Sequence, residues 1–457
     1  MHKITIAGAG LVGSLLAMYL AKKGFDVHVY ERRPDMRKQV VDGGRSINLA
    51  LSDRGWKALE EVGVANHIRQ IAIPMYGRMV HNIDGSLSFQ PYGKEGQCIY
   101  SVSRADLNKT LMNCADDFEN VHFYFNQRCT KIDLNAATLY LQDQNTGTAN
   151  TAQADVVFGA DGAFSAVRGS MQFTDRFDYA QDYIEHGYKE LTIPPGPNGS
   201  WLMEKNALHI WPRKSFMLIA LPNTDGSFTC TLFLEFEGNP SFEMLKTEAG
   251  VNDFFDHYFP DAKALMPTLM EDFFHNPTSS LVLIRCKPWV YNHKIALIGD
   301  AAHAIVPFYG QGMNCGFEDC SVLNNILNQH MQPDGSIHWP HALQQYQQSR
   351  IPDANAIAEL ALRNFVEMRD LVADPDFILR KEIERRLNLQ YENRYIPLYS
   401  MVTFSPNLPY SEALRIGKLQ DQLFAKIMGI PNVEEKWDNG QLTQILDQYM
   451  DDYLKQV

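Results

Sequence analysis

Three glycines near the start, Gly8, Gly10 and Gly13, constrain this chain more than any other feature because of what surrounds them. They follow the short β-like run Ile4-Thr5-Ile6-Ala7 and open Leu11 to Lys23, which reads as a helix stopping at Gly24. A second β-like run, Asp26-Val27-His28-Val29-Tyr30, closes with Glu31, eighteen residues beyond Gly13. Strand, glycine turn, helix, strand and acid in this order make a βαβ unit for a dinucleotide. Bare glycines let the backbone touch a pyrophosphate, the helix N-terminus faces it with unpaired N–H groups, and Glu31 accepts the adenosine ribose hydroxyls.

The same segment invites a different reading. Ile4 to Ala21 carries no charge, follows Met1-His2-Lys3 and precedes Lys22-Lys23, so hydropathy alone suggests a signal peptide or a membrane span. Glycines at the turn positions argue against both.

NAD and FAD each fit such a unit, and two distant segments decide between them. Asp155 to Arg168 is a buried-type strand running through Gly159 and Asp161 into a helix start. Ile295 to His303 contains Gly299-Asp300 and continues through Pro307 to Gly310-Gln311-Gly312-Met313-Asn314 and another helix. Taken singly, Asp161 and Asp300 read equally well as helix caps. Together with the first unit, Asp300 can accept ribityl hydroxyls while the next helix offers N–H groups to a flavin pyrimidine, where negative charge appears on reduction. A second G-x-G-x-x-G is absent from the sequence, so a nicotinamide nucleotide has to visit a shared cleft transiently.

These three segments resemble the single-component aromatic-ring flavoprotein monooxygenases, the para-hydroxybenzoate-hydroxylase-like family. The halogenase-type W-x-W-x-I-P pattern is absent. Further strings are similar to the branch of that family that hydroxylates kynurenine: Gly44 to Ser52, Tyr76 to His81, Gln90 to Gly93, Val306-Pro307-Phe308, Asn364 to Met368 and Tyr395 to Met401, a likeness running from residue 1 to about residue 415. The resemblance implies an enzyme that holds FAD, takes a hydride from NADPH, and activates O₂ as a flavin hydroperoxide. It would hydroxylate L-kynurenine to 3-hydroxykynurenine in tryptophan degradation. It also implies FAD contacts at Val12, Tyr30, Glu31, Arg32, Arg33, Ala50, Arg104, Asp300, Met313 and Asn314, and substrate contacts at Arg78, Tyr92, Asn364 and Tyr399.

The second set suits an amino-acid head, since an arginine fork with two phenols and an amide can hold a carboxylate. Alone, Arg78 would read as a surface ion pair, the tyrosines as packing aromatics, Asn364 as an exposed helix residue and Arg104 as a partner of Asp106. An aryl ring needs an apolar slot that excludes water. Ile219, Leu221, Phe233, Pro307 and Phe308 are the candidates, with Tyr309 beside them and ordinary core packing as their alternative. No side chain is assigned as an obligatory base, because the ring amine of kynurenine already activates the carbon that is attacked. Rival readings are an FAD enzyme for another aromatic acid, and a flavin-binding sensor or scaffold without turnover.

The 457 residues imply about two or three domains or subdomains. The expected fold is α/β: a Rossmann-type FAD-binding domain from 1–75, 100–170 and 286–345, an inserted mixed or antiparallel-sheet substrate domain from 76–99 and 171–285, and a C-terminal helical layer over 346–457. The loop Pro194 to Gly199 is expected to be irregular, and Ala354 to Val372 helical. Lys+Arg 41 against Asp+Glu 54 leaves a net charge of −13, which disfavours nucleic acid and anionic membrane as partners. Seven cysteines without a C-x-x-C pair suit a reducing compartment, and no H-E-x-x-H occurs, so no metal site is expected. The tail Gln441 to Val457 spaces Leu442, Ile445, Leu446, Tyr449, Met450 and Tyr453 as a helix face that packs on protein. The expectation is a soluble, cytoplasmic, bacterial-type protein without a targeting sequence, with monomer and homodimer both open.

Overall fold

The structure, a computed structural model, describes residues 2–38, 48–371, 374–391 and 394–457. Met1, Gly44 to Ile47 of the first family-like string, and Val372 of the expected helix lie outside the described residues.

Six strands make the nucleotide-side sheet, in the order Val290–Tyr291, Ile295–Leu297, Val156–Gly159, Lys3–Ala7, Asp26–Tyr30, Val121–Tyr124. All pair in parallel except the short edge strand Val290–Tyr291. The inner strands are buried apolar runs, as a parallel sheet covered on both faces requires. Register sets Ile4 against both Val27 and Val156, so the three sequence motifs end side by side at the carboxyl edge of adjacent strands. Ligands of open parallel sheets bind at that edge.

The charge-free N-terminal run resolves into the strand Lys3–Ala7 and the helix Leu11–Ala21. That helix buries Gly13 through Ala21 against the helices Arg104–Asp116 and Gly312–Gln329. It is apolar on every side because it is covered on every side.

A second, seven-stranded sheet runs Thr278–Lys287, Asp178–Ile193, Phe228–Glu235, Phe216–Pro222, Ala207–Arg213, Gly77–His81, Leu87–Pro91. It is antiparallel except where Gly77–His81 pairs in parallel with Ala207–Arg213. Alternation assigns its faces. Phe228, Cys230, Leu232 and Leu234 join a core with Phe254, Phe255 and Phe259 on the outer side. Met217, Leu221 and Phe233 point the other way, into a core shared with Phe308, Phe365 and the C-terminal helices. Each such side chain contributes about 1.5–3 kcal/mol on burial, so one strand serves two cores.

The loop after Asp178–Ile193 contains a short 3-10 turn at Pro197–Gly199, made possible by Asn198 at φ 58°. The expected helix from Ala354 begins earlier, at Trp339, because Pro352 is accommodated inside the 28-residue helix Trp339–Val366. It gives way at Glu367–Leu371 to a π-turn, which re-aims the chain beside the site. Helices Pro375–Gln390, Leu398–Phe404, Tyr410–Met428, Val433–Asp438 and Thr443–Leu454 complete the layer. The last buries Leu446, Met450 and Tyr453, but Ile445 is 40% exposed and falls off the packed face. Among the described residues no helix is long and apolar enough to cross a membrane.

Candidate active site

The three glycines divide their work. Gly8 has φ +103°, and a Cβ there would stand 2.5 Å from the Ala160 carbonyl oxygen; one on Gly13 would stand 2.0 Å from the Gly8 oxygen. At both positions close backbone packing alone requires glycine. Gly10, at the start of the first helix, has open space where its Cβ would be. A pyrophosphate needs that combination: a helix N-terminus with nothing in front of it.

Glu31 is buried, and Oε2 accepts from the Ala9 N–H at 2.9 Å while Oε1 accepts from Arg33 N at 3.0 Å and Arg33 Nε at 2.7 Å. Burial alone would raise its pKa, but Arg33 overrides this and holds the carboxyl below its ordinary range. The acid thus ties the glycine loop to the next strand end and keeps lone pairs for hydroxyl donors. Tyr30 stacks on Tyr124 with centroids 4.7 Å apart, and burial pushes its phenol up to about 12. Arg32 and Arg33, with Pro34, Asn126, Arg128, Gln144 and Asn145, line a hollow of about 610 Å³ at this end.

Asp161 ties down the start of the helix Ala166–Met171 with one oxygen and leaves the other unpaired. Its Oδ2 accepts from the Ala166 and Val167 N–H groups at 2.7 and 3.3 Å, and its buried Oδ1 has no partner. An orphaned carboxylate oxygen at the strand ends is what a bound hydroxyl or amine would satisfy. Asp300 is half-buried in the 3-10 turn Gly299–Ala301. Val12 packs on Gly299 and Gly316, fixing that turn against the helix Gly312–Gln329. Asn314, near the start of this helix with Gly312 and Met313, spends its amide on protein: Oδ1 accepts from Ser52 N at 3.0 Å, and Nδ2 donates to Ala50 O at 2.8 Å and Gly310 O at 2.7 Å. Arg104 begins the helix Arg104–Asp116, while Ser103 Oγ caps it by accepting from Asp106 N. Its charge opposes, without cancelling, the burial that pushes the Glu190 carboxyl up to about 7. These residues fit FAD: an open helix end for phosphate, acids for hydroxyls, and a helix start for the ring.

The other expected cluster forms between the second sheet and the C-terminal helices. Arg78 places its guanidinium carbon 5.6 Å from the Tyr92 ring centre and 5.5 Å from that of Tyr399. Tyr92 and Tyr399 stack 5.3 Å apart at 12°, and Tyr309 extends the stack at 5.5 Å and 14°. Arg78, Tyr399 and Glu367 are set deep among other groups yet each keeps some accessible surface. Burial alone would lower the Arg78 pKa, but the phenols and Glu367 raise it. Burial likewise opposes the Glu367 charge, yet Lys381 at 3.4 Å and Arg78 bring that carboxyl below its usual range. Sequence reasoning missed Glu367 and Lys381, although Glu367 stood in the string Asn364 to Met368.

Asn364 differs from expectation. It is buried, and its Nδ2 donates to Phe308 O at 2.7 Å and contacts Met368 Sδ at 3.3 Å. The bond to Phe308 braces the Pro307–Tyr309 turn, and the sulfur contact ties the amide to the π-turn that follows its own helix. Leu221, Phe233 and Phe308 share a core cluster with Tyr92 and Tyr309, with Ile219 partly buried against it. Phe308 lies 5.0 Å from Phe233 and 3.9 Å from Phe365, whereas Pro307 is exposed at the turn.

The family model described as an FAD binding domain matches residues 1–250 and 262–361. With the strand-end site it defines the class as an FAD-binding hydroxylase. A solved structure of 2-methyl-3-hydroxypyridine-5-carboxylic acid oxygenase shares the fold, with a TM-score of 0.65 at 21% identity over 92% of this chain and 98% of that one. Kynurenine 3-monooxygenase of Flavobacterium johnsoniae is 50% identical over 440 residues, 96% of this chain and 97% of its own. That of Flavobacterium psychrophilum is 51% identical over 441 residues, with the same coverage. The chain belongs to the kynurenine 3-monooxygenase family.

Proposed function

We propose that this enzyme converts L-kynurenine, NADPH, O₂ and a proton to 3-hydroxykynurenine, NADP⁺ and water, a step of tryptophan degradation. The observation that carries the substrate is the group of half-buried Arg78, Tyr399 and Glu367, with the buried Tyr92 ring stacked beside them. A fixed cation and a fixed anion beside one another fit a zwitterionic amino-acid head. Arg78 and the phenols take the carboxylate, and Glu367, itself steadied by Lys381, takes the α-ammonium.

With the head held there, the aminophenyl ketone extends into the slot of Ile219, Leu221, Phe233 and Phe308, and Asn364 keeps the slot's turn in place. Bound FAD supplies electron transfer from NADPH and the activation of O₂. Gly10, Glu31, Asp161 and Asp300 would hold its phosphates and hydroxyls, and the start of Gly312–Gln329 its ring. The protein's own part in the oxygen transfer is orientation and exclusion of water, since the substrate's ring amine already feeds electrons to the carbon ortho to it.

The test is product analysis. The purified yellow protein should oxidise NADPH rapidly only when kynurenine is added, and yield hydroxylated product in equal amount. NADPH oxidation with peroxide as the sole product would remove kynurenine as the substrate.

A further inference from the structure

On the face of the nucleotide sheet opposite the helix Leu11–Ala21, three side chains converge that no part of the reaction uses. Asp26 and His28 are i and i+2 on the strand Asp26–Tyr30, and His122 is the in-register partner of His28 on the edge strand Val121–Tyr124. Positions i, i+2 and the cross-strand neighbour share one face of a sheet, so the backbone itself makes the triangle. His28 Nε2 stands 3.0 Å from Asp26 Oδ2, and His122 Nε2 stands 3.3 Å from Asp26 Oδ1. One donor atom from each residue lies within 4.8 Å of the other two.

We propose that Asp26, His28 and His122 form a three-ligand site for a zinc-class divalent ion. Donors about 2.0–2.1 Å from such an ion are roughly 3.3 Å apart when tetrahedral, close to the spacing the side chains already have. Two imidazoles and a carboxylate select zinc, copper or nickel over calcium or magnesium. The second nitrogen of His28, Nδ1, is 3.1 Å from the Tyr124 hydroxyl. With Nδ1–H donated to that oxygen, Nε2 keeps its lone pair for metal, the arrangement that orients histidine ligands.

The ligands are accessible: side-chain exposure is 13% for His28, 33% for Asp26 and 44% for His122, which leaves the fourth position to water. The nearby cation is Lys3, opposite Asp26 on the adjoining strand. A second convergence, His303, Cys315 and Asp319, is unlike this one, because Arg350 and the Gly299 N–H already fill its carboxylate. The sequence gives no metal motif because its ligands come from two strands that meet only in the fold. Bound metal would tie the free edge strand to Asp26–Tyr30 and so stabilise the sheet.

The test is zinc titration of the chelator-treated, FAD-loaded full chain by calorimetry. One equivalent should bind saturably and raise the melting temperature. His122→Gln and Asp26→Asn should each weaken binding roughly tenfold or more. Turnover of His122→Gln should stay at the parent rate, and His338→Gln, at an exposed histidine elsewhere, should bind zinc as the parent does. Copper in place of zinc should give an electron paramagnetic resonance spectrum with imidazole nitrogen couplings. Absence of saturable binding to the parent, or binding untouched in both ligand variants, would overturn the site.

Discussion

The guanidinium carbon of Arg78 lies 5.5 Å from the centre of the Tyr399 ring, although one residue sits on an inner strand of the seven-stranded sheet and the other on the short helix Leu398–Phe404. The contact closes the C-terminal layer over the sheet at the point where the substrate head is proposed to bind.

Arg78→Lys keeps the charge but replaces a planar two-pronged donor with a point ammonium. The loss should be on the order of 1–3 kcal/mol, seen as a KM for kynurenine raised about tenfold or more with normal flavin content. A decarboxylated analogue should bind the parent poorly and lose little more in the variant. Equal penalties for acid and analogue would place Arg78 in fold maintenance.

Glu367→Gln removes the anion between Arg78 and Lys381. KM for kynurenine should rise by roughly tenfold, about the strength of one charged hydrogen bond. An analogue lacking the α-amino group should be indifferent to the change. Melting temperature should also fall, because two enclosed cations lose a shared partner. If the desamino analogue suffers as much as kynurenine, the ammonium contact is wrong.

The nucleotide half was legible because its chemistry is local: Gly8 to Gly13 and Glu31 lie within one βαβ unit, and the structure brings them together. Spacing could not say that Gly13 packs on Gly8 while Gly10 stays open, since that depends on Cβ directions after the turn has formed. The substrate half was legible only through resemblance. Arg78, Tyr92, Glu367 and Tyr399 come from separate elements and have no common period. Glu367 was hidden by the π-turn, which a helical reading through Val372 would have turned elsewhere. Asn364 was expected at the substrate, and its amide goes to the Phe308 carbonyl, a partner no pattern announces.

The glycines give a paired prediction. Gly10→Ala meets no neighbour within 4 Å, so the protein should fold and melt near the parent but purify with little FAD. Gly13→Ala would drive a Cβ to 2.0 Å from the Gly8 oxygen and should cost about 3 kcal/mol or more of stability. Thermal melts and flavin-to-protein absorbance ratios distinguish the two. Normal FAD retention in Gly10→Ala would remove this helix end as the phosphate site.

Asp300→Ala should fold, because the turn Gly299–Ala301 is held by Val12 packing and not by the carboxylate. FAD affinity should drop by roughly ten- to a hundredfold, the worth of a charged hydrogen bond to a hydroxyl. Unchanged affinity and turnover would show that Asp300 faces no part of the cofactor.

Acid should act on Glu31. Its folded pKa is depressed, with burial opposing and Arg33 prevailing, so its carboxylate supports the glycine loop in full above the ordinary carboxyl range of about 4.3. That support is lost as pH falls through the lower folded value, where protonation frees Arg33. Glu31→Gln keeps an oxygen for the Ala9 N–H at 2.9 Å but removes the charge opposite Arg33. At pH 7 the variant should bind FAD roughly tenfold more weakly than the parent. As pH falls through that lower folded value the difference should shrink, because the parent loses the same charge by protonation. Flavin-fluorescence titrations at a series of pH values measure both, and a parent-to-variant ratio that stays constant into acid would show that Glu31 acts through shape and not through its charge.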